Sequence, residues 1–168
     1  VYDTWVDPKG VSHKAGISYR KNEKGVSTYF KKDIDLYVTQ RVDKQKAKDG
    51  EKVKYTTTIG NNGMRPTSIG LGPITLTFET TNVILADNAI ENAIKGALQD
   101  RTDIAITTDY TQPNTYIINH IPADGKLTFS YIGHIHSPTG DPVSIYAEVV
   151  GKKKSELPKG NDHMPIIV

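Results

Sequence analysis

In the stretch EKVKYTTTIGNNG, residues 51–63, polar and inward-type side chains alternate with a period of two. Val53, Tyr55, Thr57 and Ile59 fall on one face, and Lys52, Lys54, Thr56 and Thr58 on the other. That period marks a β-strand with one buried face. The same rhythm opens in DIDLYVTQ, where Ile34, Leu36 and Val38 alternate with Asp35, Tyr37 and Thr39. It returns in ITLTFE, with Ile74, Leu76 and Phe78 inward, and in DIAITTD, NTYIINHI, KLTFSYIGHI and VSIYAEVV. Turns rich in Gly, Pro, Asn and Asp separate these segments. The pattern predicts an all-β fold built as an antiparallel sandwich.

Two regions depart from the rhythm. In DNAIENAIKGALQDR, Ile90, Ile94 and Leu98 recur every four residues with Ala93 and Ala97 beside them. This predicts one short amphipathic helix over about 88–99, lying across an open end or edge of the sandwich. Asn88 and Glu91 have capping-box spacing, while Gly96 weakens the helix by roughly 1 kcal/mol relative to Ala. Ahead of the sandwich, residues 1–32 stand outside the main pattern. There AGISYR and GVSTYF flank an Asn- and Gly-containing turn and read as a hairpin or donor strand, with Trp5 upstream as a packing anchor. The division is therefore a 1–32 extension and a 33–168 sandwich.

The threonines follow from physics. A thin sandwich wet on both outer surfaces favours β-branched but polar outward residues, and Thr56, Thr58, Thr75, Thr77 and Thr128 meet that need. Asn61-Asn62-Gly63 supplies side-chain hydrogen bonds and tolerates left-handed backbone where the strand must turn.

Composition removes several function classes. In 168 residues, 21 Lys+Arg against 19 Asp+Glu leave a net charge of +2, too little for a nucleic-acid partner without a concentrated basic face. No apolar run reaches the roughly 18 residues that a spanning helix needs. With no cysteine, disulfides, thiol nucleophiles and cysteine-ligated zinc are excluded. The chain begins at Val1, which reads as a removed export signal or an excised fragment.

Three motifs in sequence carry a resemblance. Asp35-Leu36-Tyr37-Val38-Thr39 precedes Gly50-Glu51-Lys52-Val53-Lys54-Tyr55-Thr56-Thr57-Thr58-Ile59 and Asn61-Asn62-Gly63. Ile121-Pro122-Ala123-Asp124-Gly125-Lys126-Leu127-Thr128-Phe129 follows, and then Ala147-Glu148-Val149 with Gly160-Asn161-Asp162. In this order they resemble the bacterial cell-surface repeat called DUF-eleven, over roughly 33–168. The resemblance implies an immunoglobulin-like β-sandwich in an exported surface or filament protein, serving as stalk, spacer or fibre unit, with no enzyme activity. The chain departs from that pattern at Gln40 and Arg41, in the helix, and in the extension.

Candidate chemistry is sparse. His134 and His136 share a strand face, and His120 on a neighbouring strand is a conceivable third metal ligand; exposed histidines explain the pattern as simply. Asp33, Asp35, Asp103, Asp109, Asp141 and Asp162 lie near strand ends, where calcium takes its oxygens, yet no D-x-D-x-D-G loop is present and turn duty suffices. A Lys–Asn crosslink lacks its first-strand lysine, since Gln40 and Arg41 stand there. Leu157-Pro158-Lys159-Gly160 and Gly70-Leu71-Gly72-Pro73 read as loops, and Lys152-Lys153-Lys154 as a solvated segment. No G-x-S-x-G elbow is present. No cofactor is expected beyond the calcium alternative.

The expectation is thus an extracellular, cell-surface, non-enzymatic structural protein that self-assembles by strand addition. The residues expected to carry assembly are Trp5, Ile17, Tyr19, Val26 and Tyr29 at one terminus and Ile166, Ile167 and Val168 at the other. Its partners would be copies of itself, other surface components or host glycans, with no nucleic acid and no membrane insertion. The alternative is a ligand-binding domain of a large adhesin, contacting a glycan or host protein through the helix and the loop at Tyr110 to Tyr116, with Tyr131 adding aromatic surface.

Overall fold

The computed structural model describes residues 4–6, 12–14, 18–21, 27–30, 34–67, 74–151 and 160–166. At the N-terminal side, β1 (Thr4–Val6) pairs antiparallel with β2 (Ser12–Lys14), setting Trp5 opposite His13. Likewise β3 (Ser18–Lys21) pairs with β4 (Ser27–Phe30), setting Tyr19 opposite Tyr29. Each of these ladders is a separate two-stranded sheet.

The remaining strands form the sandwich. One sheet takes β5 (Leu36–Val42), β6 (Lys52–Asn61), β11 (Lys126–Ile135) and β8 (Val83–Leu85), in the order β5-β6-β11-β8. The other takes β7 (Ile74–Thr81), β9 (Ala105–Thr108), β10 (Thr115–His120), β12 (Val143–Gly151) and β13 (Gly160–Ile166), in the order β13-β12-β7-β10-β9. Every pairing is antiparallel. The architecture is the immunoglobulin-like antiparallel sandwich that the alternation and the resemblance imply, with one short helix among the described residues. Two strands, β8 and β13, are too short or too polar to show in the pattern.

Alternation decides what enters the core. Val53, Tyr55, Thr57 and Ile59 of β6 point inward opposite Gly133, Tyr131, Phe129 and Leu127 of β11. The sheets meet through aromatic rings. Phe78 of β7 lies edge-on to Phe129 and Tyr131 across the interior, with centroids 6.3 and 6.0 Å apart, and Tyr55 stacks on Tyr131 at 6.0 Å. Such ring pairs add roughly 0.5–1.5 kcal/mol beyond the area they bury.

Polar atoms inside this core close on one another. The Gln40 carbonyl accepts from Thr57 Oγ1 at 3.1 Å and from the Tyr131 hydroxyl at 3.0 Å, while Gln40 Nε2 donates to the Ile145 carbonyl of the other sheet at 2.9 Å. Gln40 is therefore a buried tie between the sheets. At the end of β6, fully buried Asn61 joins three loops. Its Oδ1 accepts from the amides of Asp35 (3.1 Å) and Gly63 (2.8 Å), and its Nδ2 donates to the carbonyls of Arg65 (2.8 Å) and Ile121 (3.3 Å). Just before it, the Tyr37 ring lies where a Cβ at Gly60 would stand, so this strand position accepts only glycine without a shift.

The one helix among the described residues, α1 (Ala89–Leu98), bridges the sheets, running between β8 and β9. β11 meets β8 only at Gly133–Ile135, and α1 packs against β11 with Ile90 and Ile94 buried. On the opposite side β13 lies against β5, bringing the two sheets together there.

The Tyr55 hydroxyl is buried without a hydrogen-bond partner among the described residues. Burial pushes it up from 10.0 to about 12, does the same to Tyr116, and raises Tyr131 further. Below pH 10 both folded and unfolded chains keep these protons and the full stability is present. Above it the unfolded chain ionises first, so stability falls as pH climbs through about 12. Tyr55→Phe is expected to gain about 1 kcal/mol in a neutral urea titration, with a shallower alkaline loss; a less stable variant would contradict the assignment.

Candidate functional site

A concavity lies where the helix start meets the β9–β10 loop. It is a cleft of about 300 Å³ lined by Asn88 and Glu91 from α1, Thr108 to Asn114 from the loop, and Tyr116. Clefts of this size are at the lower end of those that hold small ligands.

Local chemistry fixes its walls. Asp109 shapes the loop: its Oδ1 accepts from the Thr111 amide at 2.9 Å and hydroxyl at 2.5 Å, and its amide donates to the Thr115 carbonyl at 2.9 Å. Those two bonds from Thr111 hold the Asp109 carboxyl below the usual carboxylate range. Asn114 takes a left-handed φ of 48° and passes the chain into β10, with its carbonyl accepting from the Phe78 amide at 3.0 Å. The loop is thereby fastened to both its own hairpin and β7.

Glu91 ties the loop to the helix. Its Oε1 accepts from the Tyr110 hydroxyl at 2.5 Å and from Lys95 Nζ at 2.9 Å. The Tyr110 bond first, and Lys95 second, lower the Glu91 carboxyl below its ordinary value, so it is ionised at neutral pH. The same carboxylate adds to burial in raising the Tyr116 hydroxyl to about 12. Tyr110 is held by its hydroxyl while its ring stays 78% exposed, an uncommon posture for a tyrosine.

The capping box is corrected. Asn88 does stand at the helix N-cap, but with φ at 61° its side chain makes no capping bond. Glu91 is drawn instead to Tyr110 and Lys95, and its i,i+4 pair with Lys95 runs in the favourable direction along the helix. The aromatic surface is corrected as well. Tyr110 is the exposed ring; Tyr116 and Tyr131 are each 4% exposed, because both sit at inward positions of their strands. Tyr116 packs edge-on to Phe78 at 6.0 Å and reaches the cleft from the core side.

The other candidates fall elsewhere. His134 lies in the four-stranded sheet and His120 in the five-stranded one, so the three histidines are not brought together. No group of three or more His, Asp or Glu that could hold a metal is present among the described residues. Arg101 grips Asp103 through two hydrogen bonds, and Asp141 accepts from Thr139 at 2.8 Å. Of the assembly residues, Trp5, Tyr19, Tyr29 and Ile166 lie in strands placed by backbone pairing, the last opposite Val143. Ile17, Val26, Ile167 and Val168 lie outside the described residues. So do Asp33, Gly70 to Pro73, Lys152 to Lys154 and Leu157 to Lys159. No helix among the described residues is long and apolar enough to cross a membrane.

Fold and cleft together define a β-sandwich that carries a helix-and-loop recess on one side. No family model matches the chain, and no curated protein sequence matches it. Among solved structures it is similar to the collagen-binding domain of a Staphylococcus aureus adhesin, with 16% identity over 79% of this chain and 97% of that one, at a TM-score of 0.41. It is similar also to the sporulation control protein Spo0M of Bacillus subtilis, with 16% identity over 80% of this chain and 49% of that one, at 0.43. A third similarity is to the collagen adhesin of S. aureus, with 17% identity over 85% of this chain and 54% of that one, at 0.40. The chain therefore spans about half the length of these last two.

Proposed function

We propose that the chain is a non-enzymatic recognition module of an extracellular surface protein, binding a hydroxyl-rich ligand such as a glycan, or a host protein, in the cleft beside α1. The observation that carries this reading is the posture of Tyr110, whose hydroxyl is spent on Glu91 while its ring faces solvent at the cleft. A ring pinned at one end loses little freedom when a ligand packs against it, which is why tyrosine is favoured at recognition surfaces. Around it the ionised Glu91, the Thr111 hydroxyl and the amides of Gln112 and Asn114 supply acceptors and donors for a polar ligand. The resemblance to the DUF-eleven repeat supports a surface location. Glycan- and host-protein-array binding should fall by about tenfold or more in Tyr110→Ala, while the fold is kept and the melting temperature drops by only about 2–4 °C, the cost of the lost Glu91 bond. Array binding unchanged in Tyr110→Ala would remove the cleft from the reading.

A second reading, a self-assembling fibre unit, is favoured by one observation: among the described residues, β1–β2 and β3–β4 pair only within their own ladders. Isolated two-stranded hairpins are marginal in water, so these strands would gain by joining a neighbour's sheet. β13 already pairs along β12 in its own chain, which turns this reading toward the N-terminal residues. Deleting residues 1–30 should abolish concentration-dependent assembly in sedimentation. Full-length protein that stays monomeric across a wide concentration range contradicts it.

A further inference from the structure

The net charge of +2 hides a division between the two sheets. The strands β5, β6, β11 and β8 contain Arg41, Lys52, Lys54 and Lys126 and no Asp or Glu. The strands of the other sheet contain Glu79, Glu148 and Asp162 and no Lys or Arg. All four cations of the first sheet occupy outward positions and are exposed. The ion pairs among the described residues are Lys44–Glu51, Lys95–Glu91 and Arg101–Asp103, so none of those four is neutralised by a carboxylate there.

Register concentrates three of them. Lys52 and Lys54 are alternate residues of β6, about 7 Å apart at the usual strand rise. Arg41 stands opposite Thr56 and so lies diagonal to Lys54, at a similar spacing. His134 is opposite Lys52, and Ile132, 42% exposed, is opposite Lys54. Beside this cluster runs a row of hydroxyls in which Thr56 bonds Ser130 at 2.9 Å and Thr58 bonds Thr128 at 2.8 Å. Each pair consumes one hydroxyl proton and leaves the other to point outward. The surface is cationic and hydroxylated.

We propose that the outer face of the β5-β6-β11-β8 sheet binds an extended anionic saccharide polymer through Arg41, Lys52 and Lys54, with Ser130 and the neighbouring threonines bonding sugar hydroxyls. Magnitudes favour a polymer over a second copy of this chain. The strands of the other sheet offer Glu79, Glu148 and Asp162 as partners, and exposed ion pairs give about 0–1 kcal/mol each. That is too little against an association cost of at least about 4 kcal/mol. A polymer charged along its length meets every cation and releases condensed counterions, a gain that isolated carboxylates lack. Nucleic acid is disfavoured because, among the described residues, no Tyr, Phe or Trp ring stands beside Arg41, Lys52 and Lys54 to stack a base, the Tyr37 ring of the same face lying over Gly60 instead. A four-stranded face is also too broad for a groove that admits a two-stranded ribbon.

The test is a titration of the full chain with fluorescently labelled heparin, neutral dextran and double-stranded DNA across a salt series. Heparin should bind, dextran should not, and DNA should bind more weakly than heparin. The salt slope should correspond to about three contacts, between −2 and −3 on a log–log plot. Lys52→Glu with Lys54→Glu should weaken heparin binding by at least about tenfold and flatten the slope toward −1. Thermal melting of that variant should match the parent, because both side chains are exposed. Tyr110→Ala should bind heparin as the parent does, which separates this face from the cleft. Heparin binding unaltered by the charge reversal overturns the proposal. So does DNA binding tighter than heparin, or equal binding of dextran that persists in Tyr110→Ala and so lies outside the cleft. Salt-sensitive dimers abolished by the same reversal would show that a second copy covers the face, and would overturn it too.

Discussion

The constraint on which the molecule depends is the pairing of β6 with β11 in a single register, from Lys126 opposite Gly60 to His134 opposite Lys52. With a side-chain period of two, a slip of one residue in β6 would expose Val53, Tyr55 and Ile59 and bury Lys52 and Lys54, and the same slip in β11 would expose Leu127, Phe129 and Tyr131. The interior therefore selects one alignment, and the other face inherits its chemistry from that choice. Lysines and hydroxyls face water because aromatic rings face the core. The buried Gln40–Thr57–Tyr131 cluster sharpens the selection further, since any other register would leave these polar atoms without partners.

The cleft is a consequence of how the sandwich is finished. β8 covers only the last three residues of one side of β11, and the remaining edge is met by α1. A helix placed there has its first turn beside the β9–β10 loop, and Glu91 converts that proximity into a hydrogen-bonded clamp on Tyr110. A rigid scaffold carrying polar groups on a fastened loop is the arrangement through which sandwiches commonly gain binding function.

Much of the sandwich was legible because inward positions of a half-buried strand announce themselves by alternation. Ile34, Leu36, Val38, Val53, Tyr55, Ile59, Ile74, Leu76 and Phe78 are all buried as that alternation requires. The helix was legible from the spacing of Ile90 and Ile94. β8 was not, since three residues cannot display a period, and neither was β13, whose sequence GNDHMPI carries no alternation. The site was half legible. Tyr110 to Tyr116 and the helix could be named from the chain, but the Glu91–Tyr110 bond spans 19 residues and no local pattern encodes it. The burial of Tyr131 was recoverable by extending the alternation of β11 from Leu127 and Phe129. The basic face was hidden because net charge averages over two sheets of opposite character.

Amide hydrogen exchange resolved by residue tests the β6–β11 register most directly. The account predicts that ladder-bonded amides from Val53 to Ile59 and from Leu127 to Ile135 exchange slowest of all, at the rate of global unfolding. Rapid exchange along either strand, while β7 and β12 stay protected, would contradict it.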